Sequence, residues 1–410
     1  MNLMEETALL LSSLSVYRGV LQRTVPKAFY RLLCCYREDD QTFFSAWGQF
    51  ASLLYERGYS KNLTGCLTEA ALFDENIFTR CASAGKEVPL PVQEAAWRDV
   101  EVLKQAGALT PEALLQNRFG PESPENHLRL PGWSAGGAVP QANSLRTLMD
   151  YHRQNGCGMF ARYHTFLWRE HHIEPVLHPD PVRLSSFCGY EPQRERVVKN
   201  TVDFLSGNGG NNCLLYGDMG TGKSSTVKAI ANCYAPQGLR IVELPKDRLE
   251  DFPLLVEQIA PIPLRFIVFI DDLSFAQDDP RFAQLKAVLE GGIAARPDNT
   301  LIYATSNRRH LIRETFSQRD GDELHRSDTI QESLSLYDRF GLTVNYSRPG
   351  KEEYLAIVTA LAAEWGLAMA QGELEGRAER WAIEKGGRSP RAARQLIAAL
   401  LGKQEPDQKE

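Results

Sequence analysis

The 410-residue chain is 43% apolar, with a formal net charge of −6 and a pI near 5.9. It is too long for one ordinary core, apolar enough to build two or three domains, and without whole-molecule attraction to polyanions. Its 8 cysteines lie scattered apart from the neighbours Cys34 and Cys35, with no CxxC and no matching histidine spacing, so buried thiols are expected rather than zinc or disulfides. The first apolar stretch follows Glu5 and Glu6 rather than a basic segment, and nothing approaches a membrane-spanning run. A cytoplasmic location without a membrane partner is the expectation.

The first third reads as helix. Phe43, Phe44, Trp47, Phe50 and Leu54 recur at steps of three and four, which marks a buried helix face; an ordinary core explains these aromatics better than a partner groove. Thr110 and Pro111 form a helix start signal after the periodic "WRDVEVL". From Phe119 to Asn143, proline, glycine and serine become dense, as in an exposed linker or long loop. The segment "MFARYHTFLWREHH" then reads as a second, shorter helical stretch, and a proline-rich extended stretch follows it. His164, His171, His172 and His178 fit no common metal frame and are expected on a solvated surface.

After Gly189 the chain alternates. "NNCLLYG", "LRIVELP", "RFIVFIDD", "NTLIYATSN" and "GLTVNY" read as strands, and most of the stretches between them as helices. That order predicts a parallel sheet with helices on both faces, with Asp279 and Pro280 opening one helix. From Gly350 onward the chain is helical again, with "KEEYLAIVTALAAEWGL" and "SPRAARQLIAALLGK" as the clearest stretches. The expected domains are 1–118 helical, 119–186 linker and accessory helices, 187–349 an α/β core, and 350–410 a helical lid.

Within the core, Gly217 to Ser224, "GDMGTGKS", matches GxxxxGK[ST] between a strand and a helix. Such glycines let backbone N–H groups curl around phosphate oxygens, and the helix N-terminus adds partial positive charge. The loop residues Gly217, Asp218, Met219, Gly220, Thr221 and Gly222, with Lys223, Ser224 and Ser225, are the candidate phosphate site. Lys223 would reach the β- and γ-phosphates, and Ser224 would ligate Mg²⁺. Asp271 ends an apolar strand 48 residues past Lys223 and would hold the Mg²⁺, while Asp272 would orient or deprotonate an attacking water. Asn307, 35 residues past Asp272, would offer an amide to the same water or the γ-phosphate.

These motifs together resemble an AAA+ ATPase across roughly residues 187–403. "GDMGTGKS" resembles Walker A, "FIVFIDD" Walker B, "ATSN" sensor 1, "LYDRFGL" an arginine-finger segment and "GGRSPRAARQ" a sensor 2 helix. "GYEPQ", "IDDLSF", "ATSNRRHL" and "SLYDRFGL" narrow this to a bacterial AAA+ family catalogued as a domain of unknown function. The resemblance implies a P-loop AAA+ core with a C-terminal helical lid, ATP and Mg²⁺ as ligands, and a homo-oligomer in a ring or spiral. It implies Asn307 as sensor 1, Arg391 as sensor 2, Gly189 and Tyr190 along the adenine, and Arg339 as a finger reaching a neighbouring subunit, with Arg308 and Arg309 as rivals. A salt bridge from Arg339 to Asp338 or Glu332 is the bland alternative.

The sequence departs from the common AAA+ pattern twice. Asp272 stands where a glutamate is usual, one methylene shorter, as in the branch resembling replication initiators and helicase loaders. The stretch "LPKDRLEDFPLLVEQ" lacks the aromatic-hydrophobic-glycine tripeptide that grips polypeptide in unfoldase pores. The favoured function is an ATP hydrolase that remodels an unidentified protein partner through its N-terminal domain. A DNA-associated loader is less favoured, because Glu250, Asp251 and Glu257 are acidic and no basic helix is inserted. A slow-hydrolysing switch or scaffold is the third reading, and a small-molecule kinase the least favoured. The charged stretch Ser317 to Ser333 reads as a solvated loop, with a nucleotide-responsive subunit contact as the alternative.

Overall fold

The computed structural model describes residues 2–275, 279–290, 297–307 and 339–402. Arg308, Arg309, the Ser317 to Ser333 stretch and the partners suggested for Arg339 lie outside the described residues. The chain divides into two compact units, Met1–Arg162 and Tyr163–Glu410.

The first unit is helical. Its longest helices are Asp40–Glu56 and Leu90–Gly107. Phe43, Trp47, Phe50 and Leu54 are all buried, so the three-and-four spacing belongs to core, each side chain contributing about 1.5–3 kcal/mol of apolar transfer. Thr110 caps the helix Pro111–Phe119, its hydroxyl accepting from Ala113 N–H. Residues 120–143 have the irregular backbone expected, but they are not simply exposed. Trp133 is buried against Trp47 at 4.8 Å and donates its indole N–H to Leu109 O, while Leu63 and Thr64 donate to Ser134 O and Ala135 O. The indole supplies apolar area that the proline and glycine count conceals. Asp99 is fully buried, and its carboxylate is satisfied by the backbone N–H groups of Ser15, Val16 and Tyr17 at 2.8–3.0 Å.

The second unit holds the sheet. Its strands are β1 (Thr165–Arg169), β2 (His172–Pro175), β3 (Cys213–Gly217), β4 (Leu239–Glu243), β5 (Arg265–Ile270), β6 (Thr300–Ser306) and β7 (Leu342–Tyr346). Among the described residues the order is β2-β1-β4-β5-β6-β3-β7, with only the β1–β2 pair antiparallel. β6 is buried along its whole length and β5 at all but its first residue, as parallel strands covered on both faces must be. The five strands read from sequence are all present.

β1 and β2 correct the helical reading of "MFARYHTFLWREHH". A helix covers Gly158–Arg162 only; beyond it Phe166 and Trp168 are buried while Thr165, Leu167 and Arg169 are not, which is period two. Glu170 and His171 both have positive φ, 46° and 63°, the backbone that a tight two-residue hairpin needs. Trp168 donates its indole N–H to Asp251 at 2.9 Å, and His171 Nδ1 lies 3.3 Å from the same carboxylate. Asp251 is therefore buried structural charge, and it drops out of the acidic surface inferred between β4 and β5. His164, His171, His172 and His178 converge on no metal frame; His164 Nε2 instead meets Asn232 Oδ1 at 3.0 Å.

Three helices, Lys351–Glu364, Gln371–Glu384 and Pro390–Leu401, pack together after β7 through Tyr354, Ile357, Leu361, Leu374 and Ile397. Ser389 caps the last of them, accepting from Ala392 N–H at 3.2 Å ahead of Pro390.

Candidate functional site

β3 lies between β6 and β7, and five residues separate its end from the start of the helix Lys223–Tyr234. The chain turns out of the sheet at Gly217. Its φ is 131°, and an added Cβ would stand 2.4 Å from Tyr346 O on β7, so only glycine fits. The carboxyl edges of β3, β5 and β6 thereby face one cavity of about 280 Å³. Met219, Gly220, Gly222, Lys223, Ser224 and Ser225 line it from the loop, Asp271, Asp272, Thr305 and Asn307 from the strand ends, and Arg391 from the last helix.

Lys223 is buried, and its ammonium donates to the carbonyls of Gly217 at 3.0 Å and Asp218 at 2.6 Å. Burial lowers its pKa to about 8, opposed by the carboxylates of Asp218, Asp271 and Asp272. Ser224 Oγ donates to Asp271 Oδ1 at 2.6 Å, and Thr305 Oγ1 donates to the same oxygen. Asp272 has φ 52°, in the left-handed region that aspartate tolerates. Its N–H donates to Thr305 Oγ1 at 2.9 Å, and its carboxylate accepts from Asn307 Nδ2 at 2.7 Å. Lys246 adds a donor to Asp272 O at 3.2 Å and a cation 3.8 Å from its carboxylate.

A second cavity of about 200 Å³ adjoins the other side of the loop. Phe187, Cys188, Tyr190, Tyr346, Ile357 and Leu361 give it flat and apolar walls, Gly220 to Gly222 with Ser225 and Thr226 its floor, and Arg391, Arg394 and Gln395 its polar margin. Tyr190 stacks on Tyr346 at 5.4 Å and donates its hydroxyl to Ser347 O. Gly189 stands just behind it, its N–H donating to Glu191.

The sequence-derived residues thus gather around the loop, with two exceptions. Asp218 turns its carboxylate away to Arg348. Arg339 precedes β7 and so sits at the amino edge of the sheet, separated from its own loop by a strand of roughly 16 Å. Thr305, Lys246 and Arg348 were missed: a threonine inside a strand and two isolated cations carry no spacing signal. Glu243, at the carboxyl end of β4, was also missed. Burial pushes its carboxyl above the ordinary range, and the neighbouring Asp271 adds to the shift.

Oxygen donors in this number suit a magnesium ion that keeps its waters. Mg²⁺ is commonly bound through one or two protein groups plus phosphates, and Ser224 and Asp271 supply a hydroxyl and a carboxylate side by side. Among the described residues no cluster of three or more His, Cys, Asp or Glu forms a metal cage by itself.

A strand, glycine loop and helix at the carboxyl edge of a parallel sheet, beside a strand-end acid pair and under a helical lid, define the P-loop AAA+ fold. Residues 161–404 match the family described as Protein of unknown function (DUF815), and the chain belongs to it. No curated protein matches. Solved structures similar to the chain include Thermotoga maritima RuvB carrying a single alanine-to-serine substitution. It shows 17% identity and a TM-score of 0.37, over 53% of this chain and 64% of that one. The T. maritima RuvB described as a Holliday junction branch migration motor shows 13% identity and a TM-score of 0.34, over 54% and 72%. The chain thus spans less than two thirds of the first of these.

Proposed function

We propose that this protein binds and hydrolyses ATP with Mg²⁺ in its second unit and couples the cycle to remodelling of a protein partner by way of the helical first unit. The observation that carries the reading is the convergence of Lys223, Ser224, Asp271, Asp272 and Asn307 on one cavity. Residues 187–349 act as the nucleotide core and the helices from 350 as a lid. The adenine stacks in the aromatic cavity beside Tyr190, and the triphosphate follows the loop to Lys223. Ser224 and Asp271 would hold Mg²⁺, which would supply neutralisation of phosphate charge. Asp272 accepts the proton of the attacking water, and Asn307 positions that acid. Arg391 approaches the phosphates from the lid.

Arg339 is too far along the sheet to serve its own loop, which supports action on a neighbouring copy in a ring or spiral. Its mixing test is direct. Wild-type subunits titrated with Arg339→Ala should lose turnover more steeply than dilution predicts. A strictly proportional loss removes the shared site, and failure of Lys223→Ala to abolish ATP binding and turnover removes the whole reading.

A slow-hydrolysing switch is the second reading. It is favoured by one arrangement: the Asp272 carboxylate is engaged by both Asn307 and Lys246, which compete with a water for its oxygens.

A further inference from the structure

Asp218 and Arg348 lie 130 residues apart and make more than a surface ion pair. Asp218 Oδ2 accepts the backbone N–H of Arg348 at 2.9 Å, and Oδ1 lies 3.5 Å from its Nε. The far end of the same guanidinium donates from Nη1 to Gly386 O at 2.9 Å, in the turn that joins the last two lid helices. Gly387 closes over it. With φ 142°, it has no side chain where a Cβ would stand 2.4 Å from that Nη1. Arg348 is also the residue before Pro349, which biases its backbone toward the extended region where the chain passes from β7 to the lid helices. The turn itself is braced by Arg388, whose two nitrogens meet Glu379 at 3.1 and 2.8 Å.

The other end of this link is the phosphate loop. Asp218 O is the acceptor for Lys223 Nζ at 2.6 Å and for Thr221 Oγ1 at 2.8 Å. One peptide unit therefore carries the lysine on its carbonyl and the lid's arginine on its side chain. A phosphate drawn to Lys223 competes with that carbonyl and frees the Asp218 peptide to turn, and any turn displaces the carboxylate that holds Arg348.

We propose that Arg348 is a positioning residue that transmits phosphate occupancy from Asp218 to the Gly386–Gly387 turn, coupling nucleotide binding to the orientation of the lid. The inference rests on the nucleotide reading above. The coupling is reciprocal: whatever holds the lid in place also sets the affinity of the loop for phosphate.

The test uses the full chain in four forms: wild type, Arg348→Ala, Arg348→Lys and Asp218→Asn. Nucleotide affinity is measured by calorimetry with a non-hydrolysable ATP analogue, and lid response by hydrogen exchange of peptides spanning 381–402 with and without the analogue. Wild type should show nucleotide-dependent exchange there. Arg348→Ala should bind about tenfold more weakly and lose that response while keeping the wild-type unfolding midpoint. Arg348→Lys should not restore it, because an ammonium cannot bridge Asp218 and Gly386 as a fork does. Asp218→Asn keeps an acceptor for the Arg348 N–H and should give an intermediate response, which covers the case that Arg348→Ala folds poorly. A full lid response in Arg348→Ala, or full rescue by lysine, overturns the coupling while leaving nucleotide binding intact. Absence of analogue binding by wild type overturns both.

Discussion

Thr305 offers the sharpest test of how the acid pair is held. It is buried on β6, its hydroxyl donates to Asp271 Oδ1, and it accepts the N–H of Asp272 at 2.9 Å. Thr305→Val preserves shape and removes only the hydroxyl. A hydrogen bond to a charged acceptor is worth about 1.5–3 kcal/mol, and this sets the expected loss of stability. The Asp272 N–H is not orphaned by the change, because it also reaches Asp271 Oδ1 at 3.1 Å, so the cost should stay within that range. The larger effect should be on function. With one of its orienting donors gone, Asp271 in its proposed role should hold magnesium less well, and lost outer partners of metal ligands typically cost about 10–100-fold in affinity or activity. Phosphate release measured across a magnesium titration should show the midpoint rising by that factor, with the ATP requirement at saturating metal little changed. Thr305→Ser, which keeps the hydroxyl and loses one methyl worth about 0.8 kcal/mol, should retain the wild-type magnesium midpoint. A valine variant with both the wild-type magnesium midpoint and the wild-type denaturation midpoint would refute the reasoning.

Lys246→Ala should release the Asp272 carboxylate; because the pair is exposed, turnover should rise only about two- to fivefold, read by phosphate release, and a fall would place Lys246 among the groups that assist the reaction. His152 supplies a pH test in the first unit. Burial lowers its pKa to about 4, opposed by the Gly156 carbonyl at 3.0 Å. The unfolded chain, with an ordinary histidine near 6.5, binds that proton more readily. The contribution is therefore fully present above about pH 6.5 and is lost as pH falls toward 4, on the order of 3 kcal/mol in all. Denaturant midpoints across that interval should decline, and His152→Gln should flatten the decline; an unchanged slope in the variant would assign the acid sensitivity elsewhere.

What could be read from the chain was whatever local spacing encodes. The apolar runs of β3 to β7, the loop Gly217 to Ser224 and the capped start at Ser389 and Pro390 each state their structure within about ten residues, since strand period, glycine freedom and cap chemistry are local. β1 and β2 escaped because strands of five and four residues with histidines and arginines alternate too briefly to be told from a helix edge. The supporting side chains escaped for another reason. Thr305 meets Asp271 across 34 residues, Lys246 meets Asp272 across 26, and Arg348 meets Asp218 across 130. Only the folded sheet brings such positions together.

The β1–β2 hairpin bears on how this protein can be dissected. It covers the outer margin of β4, pairing Thr165, Phe166 and Leu167 with Ile241, Val242 and Glu243. A fragment begun at Phe187, where the nucleotide motifs start, would leave the outer edge of β4 with unpaired amides and carbonyls, a template for sticking to other chains. Bacterial expression of that truncation should yield inclusion bodies, whereas a fragment begun at Tyr163 keeps its selvedge and should stay in solution.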